Sequence, residues 1–185
     1  SEMTGSHVFG YLREADEKDY KETKSIRLGD KIGKSGLELY YQDNLKGDLG
    51  INYLKVNALG QSLGKFTEEK IEQPPIQGDN LTTTIDADLQ AFAEKLMKGK
   101  SGGIVAMNPH TGEILALVSS PEYEVKKLAG RIDKEYWQFI NSDSTRPLFN
   151  RAISSRQPPG STFKPLMGII GLHLGIVTPE TEIYN

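Results

Sequence analysis

A capped helix followed by a β-hairpin is the feature that most constrains the fold of this chain. Apolar residues recur at helical spacing over 89–97, between Asp86, a good N-cap residue, and Gly99, which ends the run. Two β-prone runs follow, 103–107 and 113–119, and the sequence between them, Asn-Pro-His-Thr-Gly, is typical of a turn. An antiparallel hairpin beside a helix predicts an α+β domain, with a sheet packed on helices.

The first third of the chain has a different character, because its apolar residues come in short runs between Gly-rich turns. We predict short strands there at 8–12, 37–41 and 51–56. A fourth strand is predicted at 81–85. The first three strands predict a small extended or α+β module with little core of its own, whereas the fourth lies after it, in the next part of the chain.

The best candidate for a linker is the segment 73–79, in which two prolines stiffen the chain before Gly78. We place the domain boundary there. Residues 1–77 are then a separate module, and residues 78–185 belong to a second domain.

Later in the chain, residues 133–140 predict a short helix and residues 161–174 predict one longer helix with an apolar stripe. Gly168, Gly171 and Gly175 lie on a neighbouring stripe. Glycine in a helix costs about 1 kcal/mol relative to alanine. We therefore expect another element to pack closely against this face.

The chemistry of the chain is concentrated in Ser161-Thr162-Phe163-Lys164, a Ser-x-x-Lys pattern. A serine hydroxyl is a weak nucleophile until a base accepts its proton, and residues three apart on a helix lie one turn apart on one face. An unprotonated Lys164 could be that base, which makes Ser161 the candidate nucleophile. At a helix N-terminus the backbone N–H of Ser161 could also donate to a developing oxyanion.

The pattern alone is weak, since a chain of this composition is expected to match it by chance. A second match, Ser62-Leu63-Gly64-Lys65, lies in a Gly-rich stretch with no apolar helix after it, and we interpret it as accidental. The match at Ser161 opens an apolar helix after Pro-Pro-Gly. A surface serine beside a solvated lysine is the alternative interpretation of the bare pattern.

The octapeptide at 158–165, Pro-Pro-Gly-Ser-Thr-Phe-Lys-Pro, resembles the active-serine segment of class B penicillin-binding proteins. Residues 33–50 resemble the non-catalytic pedestal module of that family. Residues 79–90 and 102–121 resemble the start and the first hairpin of its transpeptidase domain, and residues 146–152 resemble the segment before the active serine. The residues at 33–38 and 146–152 are most similar to those of the elongation-type subgroup, penicillin-binding protein 2.

The resemblance implies a peptidoglycan D,D-transpeptidase. In that family the serine, here Ser161, attacks the carbonyl between the two terminal D-alanines of a stem peptide, and Lys164 accepts the proton. β-Lactams acylate the same serine. The family implies no cofactor and no metal. It also implies a single-pass anchor in the cytoplasmic membrane, upstream of this chain, with the domains on the periplasmic or extracellular side.

Two motifs of the family are not found: no serine is followed two places on by asparagine, and there is no Lys-Thr-Gly. We therefore expect an incomplete transpeptidase domain that turns over little or no substrate by itself.

Other classes of function find little support. The net charge is −3, without a basic excess that would indicate nucleic-acid binding. The chain has no cysteine, and His7, His110 and His173 lack metal-ligand spacing. The run 29–35 resembles a phosphate loop but has three residues between its glycines where four are needed. No apolar run is long enough to cross a bilayer.

Two alternatives to the transpeptidase stay open. A β-lactamase, D,D-carboxypeptidase or β-lactam sensor would share Ser-x-x-Lys, although a minimal hydrolase has no need of a pedestal. A module kept for interaction would use residues 1–77 to dock onto a cell-wall glycosyltransferase or scaffold partner. Penicillin labelling and the rate of deacylation distinguish these possibilities.

Overall fold

The computed structural model describes residues 3–22, 26–27, 29–65, 73–130 and 132–182. Helices and short antiparallel strands are mixed along the chain, as the α+β prediction requires. The chain forms two compact units, Ser1–Ser154 and Ser155–Asn185.

The first part of the larger unit is built around a two-stranded sheet. Its elements are α1 (Ser6–Phe9), β1 (Leu12–Glu14), α2 (Glu17–Glu22), β2 (Lys31–Gly33), α3 (Gly36–Tyr40) and α4 (Gln42–Leu45). β1 and β2 are antiparallel, with Leu12 opposite Gly33. Their small core consists of Ala15, Ile26 and Ile32. This agrees with a module that has little core of its own.

Two of the strands predicted here are wrong. Residues 37–41 lie largely in helix α3, where the Leu39 N–H donates to the Ser35 carbonyl. Residues 8–9 belong to helix α1 rather than to a strand. Short apolar runs fit a buried strand and a single helical turn equally well, so periodicity could not separate the two.

A second hairpin follows, β3 (Leu54–Val56) with β4 (Ser62–Lys65), and it agrees in part with the strand predicted at 51–56. The predicted linker is not a free connection, because it pairs back onto the preceding residues. Ile76 forms a bridge with Asp48, and Gln73 forms one with Ile51. The two ladder bonds at each bridge tie this segment to the first part of the unit.

The helix and hairpin predicted in the middle of the chain are confirmed. They are α5 (Ala87–Met97), β5 (Gly102–Met107) and β6 (Ile114–Ser120). The strands pair in antiparallel register from Gly102 opposite Ser120 to Met107 opposite Ile114. Asp86 caps α5 by accepting the N–H groups of Asp88 and Leu89.

The strand predicted at 81–85 is wrong, and the reason lies at the edge of β6. The Thr84 hydroxyl donates to the Ile114 carbonyl at 2.7 Å, and the Asp86 N–H donates to the Leu115 carbonyl at 2.9 Å. The Gln90 amide then accepts from the Leu117 N–H at 2.8 Å and donates to its carbonyl at 3.0 Å. Side chains and the backbone of the α5 cap thus form the hydrogen bonds at the edge of β6 that a paired strand would have formed.

Three further helices complete the larger unit: α6 (Val125–Leu128), α7 (Lys134–Ser142) and α8 (Arg151–Ser154). The helix predicted at 133–140 is confirmed, with Asp133 as its N-cap. Tyr123, Leu128 and Ile140 are buried together and form a small core, against which Tyr11, Val125, Ile132, Tyr136 and Leu148 pack.

The smaller unit contains a 3₁₀ turn (Gly160–Phe163) and α9 (Lys164–His173). The single helix predicted over 161–174 is therefore correct in position but begins as a tighter turn. Among the described residues, no helix has the length and apolarity needed to cross a membrane.

Candidate active site

The Ser-x-x-Lys pattern spans the junction between the 3₁₀ turn and α9. Ser161 is the second residue of the turn, and Lys164 is the first residue of α9. The Lys164 N–H donates to the Ser161 carbonyl, which makes the step between them one tight helical turn. Both residues are exposed within their unit. This spacing fits a base acting one turn away from a nucleophile.

The residues before Ser161 prepare the turn. Gly160 has φ +57°, a left-handed conformation that residues with a Cβ rarely adopt. The Thr162 hydroxyl donates to the Pro159 carbonyl at 2.5 Å. Pro165 lies in the first turn of α9, where its missing N–H leaves no bond unmade. Ser161 therefore sits among the first N–H groups of a helical segment, which have no intrahelical acceptor and can serve an anion.

The glycine stripe of α9 is only partly explained. A Cβ on Gly171 would lie 2.9 Å from a methyl group of Val177, so the chain after the helix approaches this position closely. Among the described residues nothing lies within 4 Å of a Cβ added to Gly168 or Gly175. Close packing against the whole stripe stays a prediction.

Sequence reasoning missed the role of Arg151 in the segment 143–151 of the larger unit. Its guanidinium donates to three backbone carbonyls, those of Thr145, Arg146 and Phe149. Its own N–H donates to the Ser119 hydroxyl at 2.8 Å, and that hydroxyl donates to the Phe149 carbonyl. Arg151 and Ser119 thus fold this loop onto β6. The sequence feature that could have indicated this role is the presence of two arginines in the short run 146–152.

The other candidates from the sequence fall on ordinary structure. The run proposed as a chance phosphate loop contains strand β2, and Ser62 begins strand β4 rather than a helix. His7 is buried against the Tyr123 ring, with 5.0 Å between ring centroids. No group of three or more metal-ligating side chains exists in the described part of the chain.

Two family models match the chain. The penicillin-binding protein dimerisation domain matches residues 1–83, and the penicillin-binding protein transpeptidase domain matches residues 102–185. The Ser161 motif therefore lies in the region that matches a transpeptidase.

Known proteins agree with these models. The chain is 32% identical to peptidoglycan D,D-transpeptidase MrdA of Salmonella typhimurium over 97% of its own length and 29% of the relative. Helicobacter pylori penicillin-binding protein 2, solved in complex with MreC, has a TM-score of 0.79 and 32% identity over 98% of this chain and 33% of that one. Pseudomonas aeruginosa penicillin-binding protein 2, solved with WCK 5153, has a TM-score of 0.80 and 31% identity over 98% of this chain and 36% of that one.

The chain thus spans about a third of the length of these relatives. It covers a dimerisation region and the start of a transpeptidase domain in the same order as they do. The chain belongs to the class B penicillin-binding proteins and is similar to their penicillin-binding protein 2 members.

Proposed function

We propose that the protein is a peptidoglycan D,D-transpeptidase that works through an acyl-enzyme on Ser161. The observation that carries this proposal is the one-turn step from Ser161 to Lys164 at the start of α9, inside the region similar to a transpeptidase domain. The names of the relatives support the reaction class. The substrates would be peptidoglycan stem peptides.

In the proposed reaction the Ser161 Oγ attacks the carbonyl carbon of the penultimate D-alanine, and the Lys164 amine accepts the hydroxyl proton. The tetrahedral intermediate collapses, the C–N bond breaks, and the proton passes to the leaving amine of D-alanine. An amine of a second stem peptide then attacks the ester. It forms the cross-linking amide and returns the hydroxyl proton to Ser161.

The Ser161 backbone N–H is our candidate for one donor to the oxyanion. The family's Ser-x-Asn and Lys-Thr-Gly motifs do not occur within residues 1–185. We therefore expect these residues alone to turn over little substrate, and we assign the activity to a protein that also carries those motifs.

The test is acylation by benzylpenicillin, followed by intact mass spectrometry of a protein that contains the whole transpeptidase domain. A covalent adduct is expected in the wild type and in the control Ser62→Ala, because Ser62 lies in strand β4. The adduct should disappear in Ser161→Ala. An adduct that survives in Ser161→Ala, or a wild type that forms none, would contradict the proposal.

A β-lactamase or D,D-carboxypeptidase relative would also form the adduct. The match of residues 1–83 to a dimerisation domain favours the transpeptidase, since it supplies the pedestal that a minimal hydrolase does not need. The rate of deacylation separates the two. A long-lived acyl-enzyme supports the transpeptidase, and release within seconds supports a hydrolase.

A second function, docking onto a cell-wall scaffold or glycosyltransferase through residues 1–77, is favoured by one observation on the surface. The hairpin β3–β4 exposes apolar side chains: Leu54, Val56, Leu59 and Leu63. The Helicobacter pylori relative was solved with MreC, which makes a scaffold partner a reasonable candidate. Replacement of Leu59 and Leu63 by serine should weaken co-purification with such a partner and leave penicillin acylation unchanged. Unchanged co-purification would remove this hairpin from the interface.

The boundary near Gly78 and attachment to the cytoplasmic membrane are also proposals. Limited proteolysis should cleave first between residues 79 and 85, which form no regular helix or strand.

Fractionation of cells that express the whole gene should find the protein with the membrane and its domains accessible from the periplasmic or outer face. A first cut elsewhere, or recovery in the cytoplasm, would contradict the respective proposal.

A further inference from the structure

A single glutamate holds the start of the chain against the α5–β6 layer. Glu94 on α5 uses both carboxylate oxygens, which accept the backbone N–H groups of Thr4 and Gly5 at 2.8 Å each. The Gln90 amide donates to the same carboxylate at 2.9 Å and fixes its orientation. Hydrogen bonds to a charged acceptor are about twice as strong as neutral ones. The Glu94 carboxylate therefore fixes the position of residues 4 and 5.

A second carboxyl group faces the same segment. Glu122 lies just after β6 and, with Glu94 and Thr4, lines a cavity of about 460 Å³. Burial, and next the charge of Glu94, raise the pKa of Glu122 to about 7, while the side chains of Ser6 and Thr4 oppose the shift. Near neutral pH the Glu122 carboxyl therefore changes charge beside Glu94.

The held segment belongs to the part of the chain that matches the dimerisation domain. The Tyr123 hydroxyl donates to the buried Ser6 carbonyl at 2.6 Å, and it lies 3.4 Å from the Ser35 hydroxyl. Gly10 packs directly on the backbone of Ser35, leaving no room for a Cβ. A change at residues 4–6 is thus transmitted to α1 and to the turn before α3.

We propose that Glu94 and Glu122 form a proton-sensitive clamp on residues 4–6. The clamp is closed while Glu122 carries a proton, and it loosens when both carboxylates are charged and repel each other. The clamp joins the dimerisation-type region to α5 and to the residues just after β6.

The other charged groups around the clamp define the pH range in which it can be tested. Lys95 on α5 and Lys98 just after it are the cations that line the same cavity. Burial lowers the pKa of His7, whose ring lies near the carbonyls of Pro121 and Pro147 and near the charge of Arg151. His7 therefore destabilises the closed form only as the pH falls below about 6.5.

Tyr123 does not interfere on the alkaline side, because burial raises its pKa above the usual value. Between pH 6.5 and 8.5 the Glu122 carboxyl is the group expected to change. Because its pKa is raised when the clamp is closed, the closed form binds more protons than the open form, and closure is lost as the pH rises. A pKa of about 7 when closed and 4.5 when open predicts an opening constant that rises about fourfold over this range.

Solvent-exchange NMR of the Thr4 and Gly5 amides tests the clamp. After correction for intrinsic exchange, protection in the wild type should fall about fourfold from pH 6.5 to pH 8.5. Glu122→Gln, a neutral residue of the same shape, should show no such change. Glu135→Gln, on the exposed first turn of α7, should behave as the wild type does. Constant protection in the wild type, or a pH effect that persists in Glu122→Gln, would overturn the clamp.

Carbon-13 NMR of the glutamate carboxyl groups gives a second test, which reads the titration of Glu122 directly in the wild type. The Glu122 carboxyl should titrate near pH 7 in the wild type, and Glu94→Gln should move that midpoint to lower pH by removing the neighbouring charge. A wild-type midpoint near 4.5, or one that Glu94→Gln leaves unchanged, would refute the clamp.

Discussion

Asp19 on α2 forms ion pairs with two cations from different parts of the chain. It accepts from Arg13 Nη2 at 2.7 Å and from Lys34 Nζ at 2.8 Å, so it joins β1 to the residue after β2. Burial alone would raise the pKa of Asp19. Hydrogen bonds from Lys34 and from the Asp16 N–H, together with the Arg13 charge, outweigh burial and hold that pKa well below its usual range.

Asp19→Asn should lower the free energy of unfolding by about 2 kcal/mol, because Lys34 loses its counter-charge and Arg13 keeps only its longer pair with the more exposed Asp16. Since the pKa is lowered in the fold, this stabilisation is present above about pH 4 and is lost as the pH falls further. Urea denaturation at pH 7 and at pH 3 measures both effects. The control Glu17→Gln, whose pair with Lys21 is exposed and 3.8 Å long, should change stability by less than about 0.5 kcal/mol. Equal losses in both variants would contradict the buried-pair interpretation.

Helix α5 is the element that the sequence predicted best, because its N-cap residue, the spacing of its apolar residues and the glycine that ends it all indicate the same helix. Asp86 accepts two N–H groups, and Gly99 adopts φ +74° just after the last turn. Asp86→Ala should cost about 1 kcal/mol of stability. Asp86→Asn keeps an acceptor at the cap and should cost only a few tenths. Thermal unfolding of the two variants distinguishes a cap from a merely surface aspartate, for which both losses would be small.

The face of α5 that packs was harder to predict. Phe92 and Leu96, two of the apolar residues at helical spacing, are exposed in this chain, while the polar Gln90 is 1% exposed. Gln90 is buried because its amide completes the hydrogen bonds of Leu117 at the β6 edge. Periodicity reports where apolar residues lie along a helix. It cannot predict that a polar side chain will make the backbone hydrogen bonds that a neighbouring strand would otherwise make.

For the short elements, the sequence carried still less information. Residues 37–41 became helix α3 because one turn can satisfy its own backbone bonds, whereas a strand there needs a partner from elsewhere in the chain. At the candidate site, the Ser161–Lys164 step followed from helical spacing. The left-handed Gly160 and the loop held by Arg151 depend on particular backbone angles and distant carbonyls, which spacing does not contain.

Two glycines of the smaller unit should respond in opposite ways to alanine. Gly160→Ala should destabilise the turn by about 1 kcal/mol, because its φ of +57° suits glycine. Gly168→Ala should stabilise α9 by up to about 1 kcal/mol in this chain, since it lies in a helix with open space around a Cβ. Hydrogen exchange of the α9 amides reports both effects. Destabilisation by Gly168→Ala would instead show that another element packs against the glycine stripe.

At the scale of the whole larger unit, Tyr123 connects parts of the chain that are far apart in sequence. Its ring packs in the core with Leu128 and Ile140 and makes edge contacts with His7 and Tyr11. Its hydroxyl reaches Ser6. The Tyr123 side chain thus holds the start of the chain against the helices that follow β6. Hydrophobic periodicity in the sequence did not predict this contact.

Tyr123→Phe should therefore lower the free energy of unfolding by about 1 kcal/mol, because the buried Ser6 carbonyl loses one of its two donors and keeps only the Gly10 N–H, while the ring contacts remain. The loss should be accompanied by weaker protection of the Thr4 and Gly5 amides, since the same segment is released. Tyr40→Phe is the matched control, because Tyr40 is 81% exposed and should change neither quantity. A Tyr123→Phe protein that loses stability yet keeps full protection at Thr4 would mean that Glu94 alone fixes the start of the chain, and that the hydroxyl of Tyr123 serves only the core.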